Sequence, residues 1–166
     1  MAGPSGCGLC GVTSLDAAMT LPSRNMPGSD SRPHINALEQ ASIIRLAGNQ
    51  VSSLQKQFNC TRGHHSAIFF DGEGLFIDLA EDVGRHSALD KLIGRLAKHQ
   101  TKPLTAEDGF ALLTSRCSHD LVIKASRSGI AALVTLGLPT DLAVQSAQQL
   151  SLPLFCFQYD QLKQFA

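Results

Sequence analysis

From Arg85 onward the chain alternates between two hydrophobic periods, and that alternation restricts its fold more than any other feature. Arg85 to Lys98 carries Leu89, Leu92, Ile93 and Leu96 at helical spacing. Phe110–Thr114 is a short, almost wholly apolar run of strand length. Ser118–Ser128 reads as a helix closed by Gly129, Ile130–Leu136 as a second strand, Thr140–Leu150 as a helix capped by Thr140, and Leu154–Gln158 as a third strand. Strands without polar alternation need cover on both faces, and helices joining them supply it by right-handed crossovers. The expectation is an α/β fold with a mainly parallel central sheet and helices on both faces.

The part ahead of Arg85 is less regular. Ser66–Phe70 and Leu75–Leu79 flank Asp71-Gly72-Glu73-Gly74 and predict a β-hairpin. Ile35 to Phe58 repeats apolar residues at helical spacing, and Gly48-Asn49 predicts two helices or a kink there. Residues 21–34 hold three prolines and a glycine and read as a loop, Ser14–Thr20 as a short helix, and residues 1–11 as a mobile arm containing cysteines. With no repeat or linker in sight, residues 1–166 are expected to form a single domain.

Composition excludes several function classes. Lys+Arg and Asp+Glu number 14 each, so the chain lacks the positive excess of a nucleic-acid binder or a polybasic membrane-surface protein. Only 17% of residues are charged and mean hydropathy is +0.03, too apolar for a disordered chain. The sequence shows neither an apolar stretch of membrane-spanning length nor a secretory leader pattern, so a cytoplasmic protein without a membrane partner is expected. Five cysteines, an odd number, fit reduced thiols better than a disulfide framework. Cys117 and Cys156 lie in or beside apolar runs and read as core residues.

Three turns stand where an open α/β sheet binds ligands, beyond strand carboxyl ends and against helix N-termini. They are Glu81–His86, Thr114–Ser118 and Gly137–Thr140. Arg85 and Arg116 add guanidinium groups able to fork onto phosphate, while no dinucleotide or Walker-type glycine motif occurs. His64 and His65 precede the first hairpin strand, where one of them can face a ligand cleft, and His86 sits in the first turn of a helix. Cys7-Gly-Leu-Cys10 leaves three readings open: a pair of sulfur-exchanging thiols, half a zinc site completed by Cys60 and His64 or His65, or incidental cysteines on a glycine-rich arm. A zinc deaminase would need His-x-Glu, which is absent.

Taken in order, Cys7-Gly-Leu-Cys10-Gly, Thr61-x-Gly63-x-His65-x-Ala67, Glu81-Asp-Val-Gly-Arg-His-x-Ala-Leu-Asp-Lys-Leu-Ile-Gly94, Arg116-x-Ser118, Lys124-Ala125 and Pro139-Thr140-x-Leu142-Ala143-Val144 resemble the formate dehydrogenase accessory sulfurtransferase family (FdhD). The resemblance runs from about Gly6 to Phe157 and implies a cytidine-deaminase-like three-layer α/β sandwich without zinc chemistry. It also implies a persulfide accepted from a cysteine desulfurase on Cys7, with Cys10 as the second thiol. The sulfur would pass to the molybdenum cofactor, a bis(molybdopterin guanine dinucleotide), on its way into formate dehydrogenase. The family's cofactor-contact segment falls on Phe157, Gln158, Tyr159, Asp160, Gln161 and Leu162, with Arg85, Arg116, Thr140 and His65 as further candidate contacts. A homodimer fits the family.

This chain departs from the family pattern at several positions. The family's β-rich segment ahead of the cysteine motif has no counterpart in the six residues before Cys7. Arg62 and Ser115 replace glycines, Asp120 replaces glutamate, and the family's Gly-Phe-x-Arg reads Cys156-Phe157-Gln158-Tyr159, without the arginine. The expected function is sulfur transfer. The alternatives are a zinc-stabilised module and a guanine-nucleotide binder without sulfur transfer.

Overall fold

The computed structural model describes residues 37–58, 63–99, 109–159 and 161–166. Helix α1 (Ala37–Phe58) leads into the hairpin β1 (His65–Phe70) and β2 (Phe76–Asp82). Helix α2 (Arg85–His99), β3 (Phe110–Arg116), α3 (His119–Arg127), β4 (Ala132–Gly137), α4 (Asp141–Gln149) and β5 (Leu154–Gln158) then alternate as expected. A last strand, β6 (Gln161–Gln164), follows. The expected arm over 1–11, helix over 14–20 and loop over 21–34 lie outside the described residues.

All six strands join one sheet in the order β2-β1-β3-β4-β5-β6. The sheet is mixed rather than mainly parallel. Strand β1 runs antiparallel to both β2 and β3, β3–β4 and β4–β5 are parallel, and β5–β6 is antiparallel. Hydrophobicity explains the inner position of β1. Ala67 to Phe70 is continuously apolar and buried, whereas β2 carries Asp78, Glu81 and Asp82 and takes the edge. Helix α2 thus carries the chain over β1 from β2 to β3, two strands that point the same way without touching. Strand β6 is short, polar and at the other edge, so its sequence carries little strand signal.

Side chains alternate between the two faces of the sheet and build two cores. On one face Ala67, Phe69, Leu113 and Leu133 meet Leu89, Leu92, Leu121, Val122, Ala143 and Ala147 from α2, α3 and α4. On the other, Ile68, Phe70, Leu112, Val134 and Phe155 meet Ile44, Ala47, Val51 and Leu54 from α1. Helices therefore do cover both faces. The expected break at Gly48-Asn49 does not occur, and α1 is one continuous helix. Gly48 serves a different need: a Cβ there would lie 2.5 Å from Cζ of Phe157, so glycine lets the ring press against the helix backbone.

The hairpin turn is built by Asp71, whose Oδ1 accepts from the backbone N–H of Glu73 and of Leu75, both at 2.9 Å. Gly74 closes it with φ +83°, a left-handed conformation suited to glycine.

Candidate functional site

The topology brings all three predicted turns to one edge of the sheet. Strands β2, β3, β4 and β5 point the same way, so their carboxyl ends share that edge with the start of β1. The register places His65 opposite Asp82, and Arg116 opposite Gly137. Around this edge stand the starts of α2, α3 and α4, each with backbone N–H groups that have no partner within the helix.

The three starts differ in how they are built. Before α2, Oδ1 of Asp82 accepts from the N–H of Gly84 at 2.8 Å, and the carbonyl of Gly84 accepts from Ala88 at 2.9 Å. Lys91 holds Oδ2 of Asp82 at 2.5 Å, and that hydrogen bond pulls the Asp82 carboxyl below its ordinary range. Arg85 follows, half-buried, with its Nε enclosed and without a hydrogen-bond partner among the described residues. At α4, Oγ1 of Thr140 accepts from the N–H of Ala143 at 3.2 Å, and the N–H of Thr140 donates to the carbonyl of Cys117 at 3.0 Å. Thr140 therefore caps its own helix and ties it to the turn before α3. Ser118, the N-cap of α3, makes no side-chain capping bond. Its hydroxyl lies 3.3 Å from Nε2 of His86 instead.

The remaining sequence candidates take varied positions. Arg116 is exposed at the end of β3, and a Cβ on Gly137 would come within 2.8 Å of its backbone nitrogen, so glycine allows the two strands to meet there. His65 is half-buried in β1. Phe157 packs on Gly48, and Leu162 packs at the border of the core beneath α1. Gln158 and Gln161 pair across the β5–β6 turn, at whose start Tyr159 is 95% exposed with φ +49°. Asp160 lies outside the described residues, and so do Cys7, Cys10 and Cys60.

Cys117 and Cys156 are buried, as their surroundings in the sequence imply. Burial pushes the Cys117 thiol up to about 12 and raises that of Cys156 as well, so neither is a thiolate near neutral pH. Among the described residues, no group of three or more His, Cys, Asp or Glu is placed to hold a metal ion, and no helix is long and apolar enough to cross a membrane.

Two features of the edge went unassigned in the sequence. Glu81 accepts from Oγ of Ser66 at 3.1 Å and lies 3.2 Å from Nε2 of His64. Gln55 of α1 donates to the same Ser66 hydroxyl at 3.0 Å, and the N–H of Ser66 donates to Oγ1 of Thr114 at 2.9 Å. The second feature is His86, which stands between Ser118 and Asp120, its Nε2 lying 3.9 Å from Oδ2 of Asp120. Both belong to the stretch Glu81–His86, whose density of polar residues at a strand end was the available signal.

The sequence profile of the FdhD/NarQ family matches residues 1–163, a span that takes in the cysteine motif and the whole sheet but for the last residue of β6. The chain belongs to the FdhD/NarQ family. Among its relatives, the "Sulfur carrier protein FdhD" of Bordetella parapertussis is 39% identical over 158 residues, covering 95% of this chain and 53% of that protein. The protein of the same name in Mycolicibacterium paratuberculosis is 36% identical over 153 residues, covering 92% of this chain and 53% of the relative. A crystal structure of a putative formate dehydrogenase accessory protein from Desulfotalea psychrophila superposes with a TM-score of 0.59 at 27% identity, over 76% of this chain and 52% of that one. This FdhD/NarQ chain thus spans about half the length of the relatives it matches.

Proposed function

We propose that this FdhD/NarQ chain is a sulfur carrier and sulfurtransferase in the maturation of formate dehydrogenase. The observation that carries the reading is the family match over residues 1–163, a span of sequence that includes both the Cys7–Cys10 pair and the residues of the strand-end edge. On this reading the layering is of the cytidine-deaminase kind without its zinc chemistry.

The chemistry begins with a cysteine desulfurase as sulfur donor. The Cys7 thiolate attacks the outer sulfur of the desulfurase persulfide, the donor's S–S bond breaks, and the donor thiolate leaves. No net oxidation occurs in that exchange. For delivery, the Cys10 thiolate attacks the Cys7 sulfur, and the outer sulfur departs with its electron pair as sulfide toward molybdenum. Cys7 and Cys10 are left as a disulfide, which an external dithiol resets. The receiving substrate is molybdenum bis(molybdopterin guanine dinucleotide), which carries two diphosphates. Arg85, Arg116 and the open start of α3 suit those anions, and His65, Thr140, Gln158, Tyr159, Gln161 and Leu162 border the same edge.

Persulfide loading tests the proposal. Incubation with an active desulfurase and cysteine is expected to add one sulfur to the wild-type chain, seen by intact mass, and none to Cys7→Ala. Absence of any gain in the wild type defeats the reading. A gain that survives Cys7→Ala but not Cys10→Ala reverses the two roles.

A further inference from the structure

His86 takes no part in the sulfur chemistry described above, yet it joins two of the helix starts around the edge. It is the second residue of α2, and its Nε2 lies 3.3 Å from Oγ of Ser118 and 3.9 Å from Oδ2 of Asp120 at the start of α3. Two further observations mark this corner as incomplete. Ser118 occupies the N-cap position without capping, so the first N–H groups of α3 have no side-chain acceptor from it. Arg85, beside His86, keeps a buried Nε with no partner among the described residues, and its charge acts on both His86 and Cys117, the residue before Ser118. A buried guanidinium nitrogen without an acceptor is costly unless something anionic arrives to satisfy it.

Resting on the reading of this edge as a phosphate site, we propose that His86 is a positioning residue that draws Ser118 off the α3 cap, keeping that helix start open to a phosphate, and that it takes up a proton when the phosphate binds. The charged groups acting on the imidazole come from both helices: Arg85 and Asp90 of α2, Asp120 and Lys124 of α3. Burial first, and then Arg85 and Lys124, hold its pKa below the ordinary value, while Asp120 and Asp90 pull the other way. The free protein near pH 7 therefore holds a neutral ring. A phosphate placed between Arg85 and the α3 start offsets the Arg85 charge and favours the imidazolium. The bound-state pKa then exceeds the free-state pKa, so affinity rises as pH falls through the bound value and levels off below the free value.

GDP-mannose is the probe, because its diphosphate diester, like that of the proposed substrate, has no proton to lose in this range. Calorimetric titration of the full chain at pH 6 and pH 8, in two buffers of different ionisation enthalpy, reads affinity and proton uptake together. The wild type is expected to bind roughly five- to tenfold tighter at pH 6, with net proton uptake between the two pH values. His86→Gln, which keeps a hydrogen-bonding side chain but cannot titrate, is expected to bind with a flat pH profile and an unchanged unfolding temperature. If His86→Gln retains the wild-type pH dependence, or the wild type itself is flat, the role of His86 is overturned while the phosphate site stands. If the wild type fails to bind at any pH, both fall.

Discussion

Cys117 shows how a single residue's surroundings decide its chemistry. It has the same thiol as Cys7, but burial drives its pKa up to about 12, so it is not a nucleophile at neutral pH. Iodoacetamide at pH 8 is therefore expected to leave Cys117 and Cys156 unmodified in the native protein and to label both after unfolding, as peptide mapping would show. Labelling of either in the native state at the rate of an exposed thiol contradicts this. The same shift has a stability consequence. The folded pKa lies above the unfolded value of 9.0, so the contribution of the neutral thiol is intact below pH 9 and is lost as pH rises toward about 12. Relative to Cys117→Ala, the wild type should lose about 1.4 kcal/mol per pH unit across that window in chemical unfolding. His119 and Ser146 make a second buried pair at 2.6 Å. The Ser146 hydroxyl already donates to the carbonyl of Leu142 at 2.6 Å, so Nδ1 of His119 is the donor between the two. Ser146→Ala should cost about 1–3 kcal/mol by stranding that N–H, measured by urea unfolding.

At the scale of elements, the Gly48 contact makes a prediction that helix propensity alone would invert. Alanine at an exposed helical glycine stabilises by about 1 kcal/mol. Here its Cβ would meet the Phe157 ring, so Gly48→Ala should destabilise by about 1–3 kcal/mol in chemical unfolding. Combining it with Phe157→Leu should recover part of that loss, and strict additivity would show that the ring is not the cause. This contact also marks where the sequence ceased to be readable. Periodicity gave the helices and the strands from β1 to β5, since each buries one face or two. It could not distinguish a glycine that breaks a helix from one that admits a distant ring, because Phe157 lies more than a hundred residues away in the chain. Strand β6 was hidden for the opposite reason: Gln161–Gln164 buries almost nothing, and only its pairing with β5 makes it a strand.

For the whole molecule, the sandwich of helices about a sheet was legible because apolar strands demand cover on both faces. The mixed direction of the sheet was not, since nothing local to the hairpin says which of its strands will sit beside β3. The candidate edge followed from the rule that ligands gather at strand ends, and its three turns do come together. Two side-chain relationships there, Ser118 with His86 and Ser66 with Glu81, join residues 32 and 15 positions apart and needed the fold to appear. The zinc-module alternative is tested at this scale, because a metal closed by Cys7, Cys10, Cys60 and a histidine would tie residues far apart in the chain. Freshly purified protein is expected to carry zinc well below one equivalent and to keep its unfolding temperature in the presence of a chelator. One equivalent of zinc, with unfolding on chelation, would favour the alternative.

The hairpin turn at Asp71–Gly74 lies at the opposite end of the sheet from the helix starts and is fixed by the Asp71 carboxylate, with Glu73 exposed at its tip. It is accordingly the natural place to attach a fluorophore or a surface tether. A dye at Glu73 would let the proposed encounter with a desulfurase be followed by anisotropy while Arg85 and Arg116, at the far end of the sheet, remain unobstructed.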